Sequence, residues 1–266
     1  MTIPPHFLAA LDKADPSWHA TLVKGLEAVA AADPAYLPAL AEDSYLPTGL
    51  RLFAAFALSL DQVRYVLVGE GPYPRVDSAT GVGFMDGAVG SLWSDDADGG
   101  LSKRVNRATS LRNFMKMLLV ADGQLHEADT AGAALAACAA RARGGAAIGT
   151  LAELQERLMD HGFLLLNASL VFRSHVAPVK DARAWLPFFA TVIDTLAARA
   201  TQPRLVLWGK IAEQLNRLPA VRAMPQAVAE HPYNLSFIAN KDMHALFGPL
   251  RLLHGGEGRR KPPAAG

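Results

Sequence analysis

Four short apolar runs set the terms on which this chain folds: V-R-Y-V-L-V-G at 63–69, G-F-L-L-L-N-A at 162–168, R-L-V-L-W-G at 204–209 and, more weakly, A-V-A-E-H-P at 227–232. Each is only a few residues long and runs into glycine, asparagine or proline, the pattern of a strand buried on both faces. Helical spacing fills the intervals, in S-L-R-N-F-M-K-M-L-L, T-L-A-E-L-Q-E-R-L-M-D-H and W-L-P-F-F-A-T-V-I-D-T-L-A-A-R. Ahead of the first run, W-H-A-T-L-V-K-G-L-E-A-V-A-A-A and L-R-L-F-A-A-F-A-L-S-L also carry helical periodicity. Strands alternating with helices imply right-handed crossovers, so the expected fold is a three-layer α/β/α arrangement around a short, mostly parallel sheet of about four strands. Ligands of such sheets gather beyond the carboxyl ends of the strands. That rule brings Gly69–Arg75, Asn167–Ser169, Gly209–Ile211 and His231–Ser236 to one edge.

The chain has 266 residues, 51% of them hydrophobic and 19% charged, enough to bury a large core. We expect a single domain over 1–253, helical through 1–60, with an Ala/Gly-rich helix-and-loop insertion near 128–149, followed by a flexible basic tail at 254–266. No apolar run reaches the ~18 to 20 residues that span a bilayer, and the N-terminal stretch lacks a secretion signal, so the expectation is a cytoplasmic protein without membrane contact. Cys138 is the only cysteine. It excludes an intramolecular disulfide and any cluster built on several thiolates. A formal net charge of +1 provides no global attraction to a polyanion. Local basic groups, Lys103, Arg104, Arg107 and Arg112 or Arg259, Arg260 and Lys261, read either as phosphate contacts or as solvated surface.

Gly69-Glu70-Gly71 is not a dinucleotide fingerprint: the third glycine position holds Pro74, and Pro72 removes an amide donor. Gly81-Val82-Gly83-Phe84-Met85-Asp86-Gly87 misses the spacing as well. A pocket for a flat, uncharged ring fits better. Asn167, at a strand end, offers one donor and one acceptor, as a base edge requires, or else caps its loop. Phe84 is a stacking platform or a core side chain. His231 donates to a developing oxyanion or serves structure alone.

Taken in order, six segments resemble the uracil-DNA glycosylase family, and within it the first, cluster-free branch. Gly69-Glu70-Gly71-Pro72-Tyr73-Pro74 stands where that branch has Gly-Gln-Asp-Pro-Tyr-His. Ala79-Thr80-Gly81-Val82-Gly83-Phe84 is similar to its Ala-His-Gly-Leu-x-Phe, and Ser110-Leu111-Arg112-Asn113 to its Ser-Leu-x-Asn. Leu164-Leu165-Leu166-Asn167, Leu207-Trp208-Gly209 and His231-Pro232-Tyr233-Asn234-Leu235-Ser236 resemble Leu-Leu-Leu-Asn, Leu-Trp-Gly and His-Pro-Ser-Pro-Leu-Ser. The likeness runs over roughly residues 17–253.

The resemblance implies an enzyme of base excision repair that rotates uracil out of single- or double-stranded DNA and cleaves its bond to deoxyribose, releasing free uracil. It implies a monomer that needs no metal or organic cofactor. Uracil would be held by Gly69, Glu70, Gly71, Tyr73, Phe84, Asn167 and His231, with His231, Asn167 and Glu70 in the catalytic roles. Ser110, Ser169, Lys210 and Ser236 would meet the DNA backbone, and Leu235 would wedge into the vacated stack. Tyr73 would exclude the thymine methyl. One departure bears on mechanism: the family's water-positioning Asp aligns with Gly71, its Gln with Glu70 and its next His with Pro74. The alternative expectation is therefore a non-catalytic paralogue that binds uracil or abasic sites.

Overall fold

The structure, a computed structural model, describes residues 3–96 and 98–255. Arg259, Arg260, Lys261 and the rest of the expected tail beyond 255 lie outside the described residues. The chain divides into two compact units, Met1–Ala88 with Met159–Ala229 and Val89–Leu158 with Glu230–Gly266.

The first unit holds a four-stranded sheet in the order β2-β1-β3-β4, from β1 (Tyr65–Gly69), β2 (Phe163–Asn167), β3 (Arg204–Trp208) and β4 (Gln226–Ala229). All neighbours pair in parallel, in the register Gly69 to Asn167 and Trp208 to Ala229 at the carboxyl ends. The expected α/β/α class is present, with a sheet that is wholly parallel. Val66, Val68, Leu164, Leu166, Leu205 and Leu207 join one apolar core with Trp18, Leu22, Phe53, Phe56, Trp185 and Phe188. The alternate residues Leu67, Leu165 and Val206 are buried too. Both faces are therefore covered, which is why these strands read as unbroken apolar runs rather than alternating ones. β4 pairs on one side only and is the least buried strand, matching its weaker signal.

Two long helices, His19–Ala32 and Pro178–Ala197, pack together in this unit. Gly25 permits the approach: a methyl there would sit 2.6 Å from Phe188 Cδ2. The expected helix at 50–60 is instead a 3-10 segment, Arg51–Ala57, with non-helical dihedrals at Phe53 and Phe56. Three residues per turn places side chains i and i+3 on one line. Phe53 and Phe56 thereby both reach the Phe188 ring, at 5.7 and 6.2 Å between centroids; burial of two aromatics has overridden α-helical periodicity.

A charged network fixes the segment that follows β2. Arg173 grips Asp181 through Nε and Nη2, at 3.2 and 2.6 Å, and reaches Asp43 Oδ2 at 2.9 Å. Tyr36 donates to Asp181 Oδ1 at 2.7 Å, and Asp181 is only 1% exposed. The fork geometry satisfies both carboxylate oxygens, the condition for keeping a buried ion pair.

The second unit contains helices Lys103–Arg107, Thr109–Ala121, Gly132–Arg141 and Lys241–Phe247. Gly132–Arg141 occupies the Ala/Gly-rich segment. The 3-10 turn Leu235–Ala239 lies against Thr109–Ala121. No helix among the described residues is long and apolar enough to cross a membrane.

Candidate active site

In the first unit, the loops leaving β1 and β2 stay zipped past the end of the sheet. Ala168 N donates to Gly69 O at 2.8 Å and Ser169 N to Glu70 O at 3.1 Å, while Gly83 N donates to Leu165 O at 2.8 Å. Residues 69–70 are thus tied to 168–169, and Gly83 to Leu165, by backbone bonds. The Asn167 amide lies in the notch between two glycines. A methyl at position 69 would stand 2.7 Å from Asn167 Oδ1, and one at position 83 would stand 3.2 Å from it. Only hydrogen at these positions leaves the carboxamide its place.

Asn167 is 5% exposed, and its side chain makes no hydrogen bond among the described residues. Its Oδ1 and Nδ2 are not among the fully enclosed, unpartnered polar atoms, which among the described residues are His6 Nε2 and Trp185 Nε1, so the amide edge is open to an incoming group. The lack of a local cap disfavours the loop-capping role and favours a ligand as the partner.

Phe84 adopts φ 66°, a left-handed conformation uncommon for an aromatic residue. Its ring meets Trp208 edge-on at 5.2 Å between centroids. Tyr73 is mostly buried, and its hydroxyl donates to Phe84 O at a long 3.4 Å. Burial, with help from the Asp86 carboxylate, pushes the Tyr73 phenol up to about 12, so it remains neutral at physiological pH. Arg75 pairs with Asp86 at 3.4 Å, and Asp86 accepts from Ala88 N at 2.9 Å.

Glu70 and Gly71 are exposed. The Glu70 carboxylate has no hydrogen-bond partner among the described residues, and position 71 has room: a methyl there would meet nothing closer than Ser169 at 3.7 Å. Ser169 is buried with its hydroxyl donating to Val171 O at 3.0 Å, so that group is engaged inside its own loop. Lys210 is exposed at the start of helix Lys210–Leu215.

The second unit carries His231, Leu235, Ser236 and Ser110. Tyr233 N donates to His231 Nδ1 at 3.1 Å. An acceptor Nδ1 leaves the proton of the neutral ring on Nε2, the arrangement needed to donate to an oxyanion without forming imidazolium. Leu235 is 70% exposed, and Ser236 is exposed at the head of the 3-10 turn. Burial pushes the Glu230 carboxyl up, but the Ser236 hydroxyl, the residue's own backbone and the Asn240 amide outweigh it and hold the group below its ordinary value. Ser110 is half-buried in the first turn of Thr109–Ala121.

Asn113 was not singled out by role in the sequence, although it sits in the Ser-Leu-x-Asn segment. It is fully buried, and its Nδ2 donates to Pro232 O at 2.7 Å and to Tyr233 O and Asn234 O at 3.4 Å each. One amide therefore clamps three successive carbonyls, those of Pro232, Tyr233 and Asn234. Trp208, as the edge against Phe84, is the other contributor visible only in three dimensions. Among the described residues, no group of three or more His, Cys, Asp or Glu side chains is placed to hold a metal ion.

No family model matches the chain. The wild-type UNG of Nitratifractor salsuginis, a solved structure, is 38% identical with a TM-score of 0.86, covering 96% of this chain and 100% of that one. Uracil-DNA glycosylase of a Nocardioides species is 28% identical over 193 residues, 73% of this chain and 67% of the relative. The Mycobacterium ulcerans uracil-DNA glycosylase is 28% identical over 192 residues, 72% and 68% of the two chains. With 38% identity and a TM-score of 0.86 across the full length of a solved member, the chain belongs to the uracil-DNA glycosylase superfamily of DNA glycosylases.

Proposed function

We propose that this protein is a cluster-free, first-branch uracil-DNA glycosylase that excises uracil from DNA by leaving-group stabilisation, without the water-positioning Asp. It acts as a cytoplasmic monomer on single- or double-stranded DNA and releases free uracil. The observation that carries the reading is the Asn167 carboxamide, without a hydrogen-bond partner among the described residues and set between Gly69 and Gly83 at the carboxyl end of β2. It offers a donor to uracil O4 and an acceptor to N3–H; cytosine reverses both, leaving buried groups unpaired. Phe84 stacks on the ring, and Tyr73 occupies the space of a thymine methyl.

The bond between C1′ and N1 breaks with its electron pair moving onto the base, so negative charge gathers on uracil O2. His231 Nε2–H donates to that oxygen. The positive charge left on the sugar is offset by the uracil anion and nearby phosphates, and water then adds at C1′ and loses a proton to solvent. Glu70, exposed beside the open position 71, orders this water. Lys210, Ser110 and Ser236 meet phosphates, and Leu235 fills the gap left by the base.

The Gly71 departure favours one rival, a paralogue that binds uracil or abasic DNA without turnover. Incubation with a uracil-containing oligonucleotide followed by alkali separates the two. Strand cleavage by the wild-type protein, reduced about 10²-fold or more in Asn167→Ala and His231→Ala, is the expected result. Retarded mobility with no cleavage would establish the rival.

A further inference from the structure

We propose that Tyr233 is a second intercalating side chain beside Leu235, its ring stacking on a nucleobase that borders the position vacated by the flipped uracil. This rests on the glycosylase reading above and adds a residue that it leaves without a role.

Tyr233 is 68% exposed and Leu235 70%, two residues apart on one turn. Scattered exposed apolar residues need no explanation, but a paired aromatic and leucine at the tip of a fixed loop do. The loop is fixed by backbone bonds. Asn234 N closes a turn onto His231 O at 2.9 Å with Pro232 and Tyr233 at its centre, and the Asn113 amide clamps Pro232 O, Tyr233 O and Asn234 O. The Tyr233 amide is bonded to His231 Nδ1. The two of these bonds that involve Tyr233 use its main-chain N and O and leave its side chain outside, where the phenol makes no hydrogen bond among the described residues.

Burial of an aromatic ring on a base face recovers the apolar surface that is wetted in the free protein. A pre-ordered loop loses little conformational entropy on doing so. Serine, which stands at this point of the motif in the branch the sequence resembles, has no such surface. The occupant is a base rather than a phosphate, because a ring presents a π-face to any base, whereas a phosphate would need only the hydroxyl.

The test uses the full chain with duplexes carrying a stable abasic analogue, and 2-aminopurine placed in turn beside and opposite the gap. This probe brightens when it loses its stacking neighbour. Wild-type protein is expected to keep it dim at one of these positions, and Tyr233→Ser to let it brighten while weakening binding about tenfold; Tyr233→Phe should stay within about twofold of wild type. Unchanged affinity and a dim probe in Tyr233→Ser would overturn the proposal, as would equal losses in the Ser and Phe variants, which would assign the effect to the hydroxyl. Uracil excision by the wild-type protein is measured in parallel. Excision with no effect of Tyr233→Ser removes only the stacking role, whereas a wild-type protein that neither excises uracil nor binds abasic DNA removes the glycosylase reading as well.

Discussion

Gly71 is the residue on which the proposed chemistry turns, because in that reading it decides whether a carboxylate stands beside the sugar. The position is exposed, its backbone lies outside the left-handed region, and the nearest atoms to an added Cβ are those of Ser169 at 3.7 Å. Its neighbours behave differently: a side chain at 69 would collide with the Asn167 amide at 2.7 Å, and one at 83 with Leu166 O at 2.8 Å. Glycine at 69 and 83 is thus a steric requirement, while glycine at 71 is a chemical choice. Loss of a general base costs about 10² to 10⁴ in rate where proton transfer matters, and less where the base departs before water adds. Gly71→Asp is therefore expected to fold normally and to raise the single-turnover rate of uracil excision by about 10- to 100-fold. A rate equal to wild type would mean that another group, with Glu70 foremost, already performs the task.

At the level of elements, much of this architecture was legible in the sequence, and the exceptions share a cause. The three strong apolar runs are strands because burial on both faces demands unbroken apolar residues, a local property. The motif ends at Gly69, Asn167 and Trp208 fell at strand ends for the same reason. The 3-10 segment at Arg51–Ala57, the clamp from Asn113 to the turn at 232–234 and the Arg173–Asp181–Tyr36 network were not legible. Each depends on partners far away in sequence, such as Phe188, Pro232 or Tyr36, which no window of spacing contains. The network locks the chain just after Asn167 to Asp181 at the head of helix Pro178–Ala197. Removing one member of a buried pair strands its partner, so Asp181→Ala should lower the unfolding free energy by about 3 kcal/mol in denaturant titrations. Asp181→Ala combined with Arg173→Met should recover part of the loss, since the guanidinium Nε and Nη2 that Asp181 satisfied are no longer left without acceptors. A double variant less stable than the single would show that packing, not charge, is the main contribution.

For the molecule as a whole, the proposed uracil ligands come from widely separated stretches of chain: Tyr73 and Phe84 before the second strand, Asn167 at its end, and His231 after the fourth. An unfolded chain presents no such set, so on the proposed reading uracil would bind the native state alone and its binding free energy would add to native stability. At a uracil concentration ten times the dissociation constant this amounts to about 1.4 kcal/mol. For a protein of this size the melting temperature should rise by roughly 2 to 3 °C. The pattern across ligands and variants is more diagnostic than the size. Cytosine meets the Asn167 amide with donor and acceptor exchanged and should give no shift, and Asn167→Ala should abolish the shift with uracil. Thymine should be inert toward the wild-type protein but should stabilise Tyr73→Ala, because the phenol is what fills the methyl's place; its neutrality up to about 12 makes that exclusion independent of pH across the working range. Thermal scans with the three bases against the three proteins give nine values. Equal shifts for uracil and thymine in the wild-type protein would remove Tyr73 from the role of gate, whatever the catalytic rate proves to be.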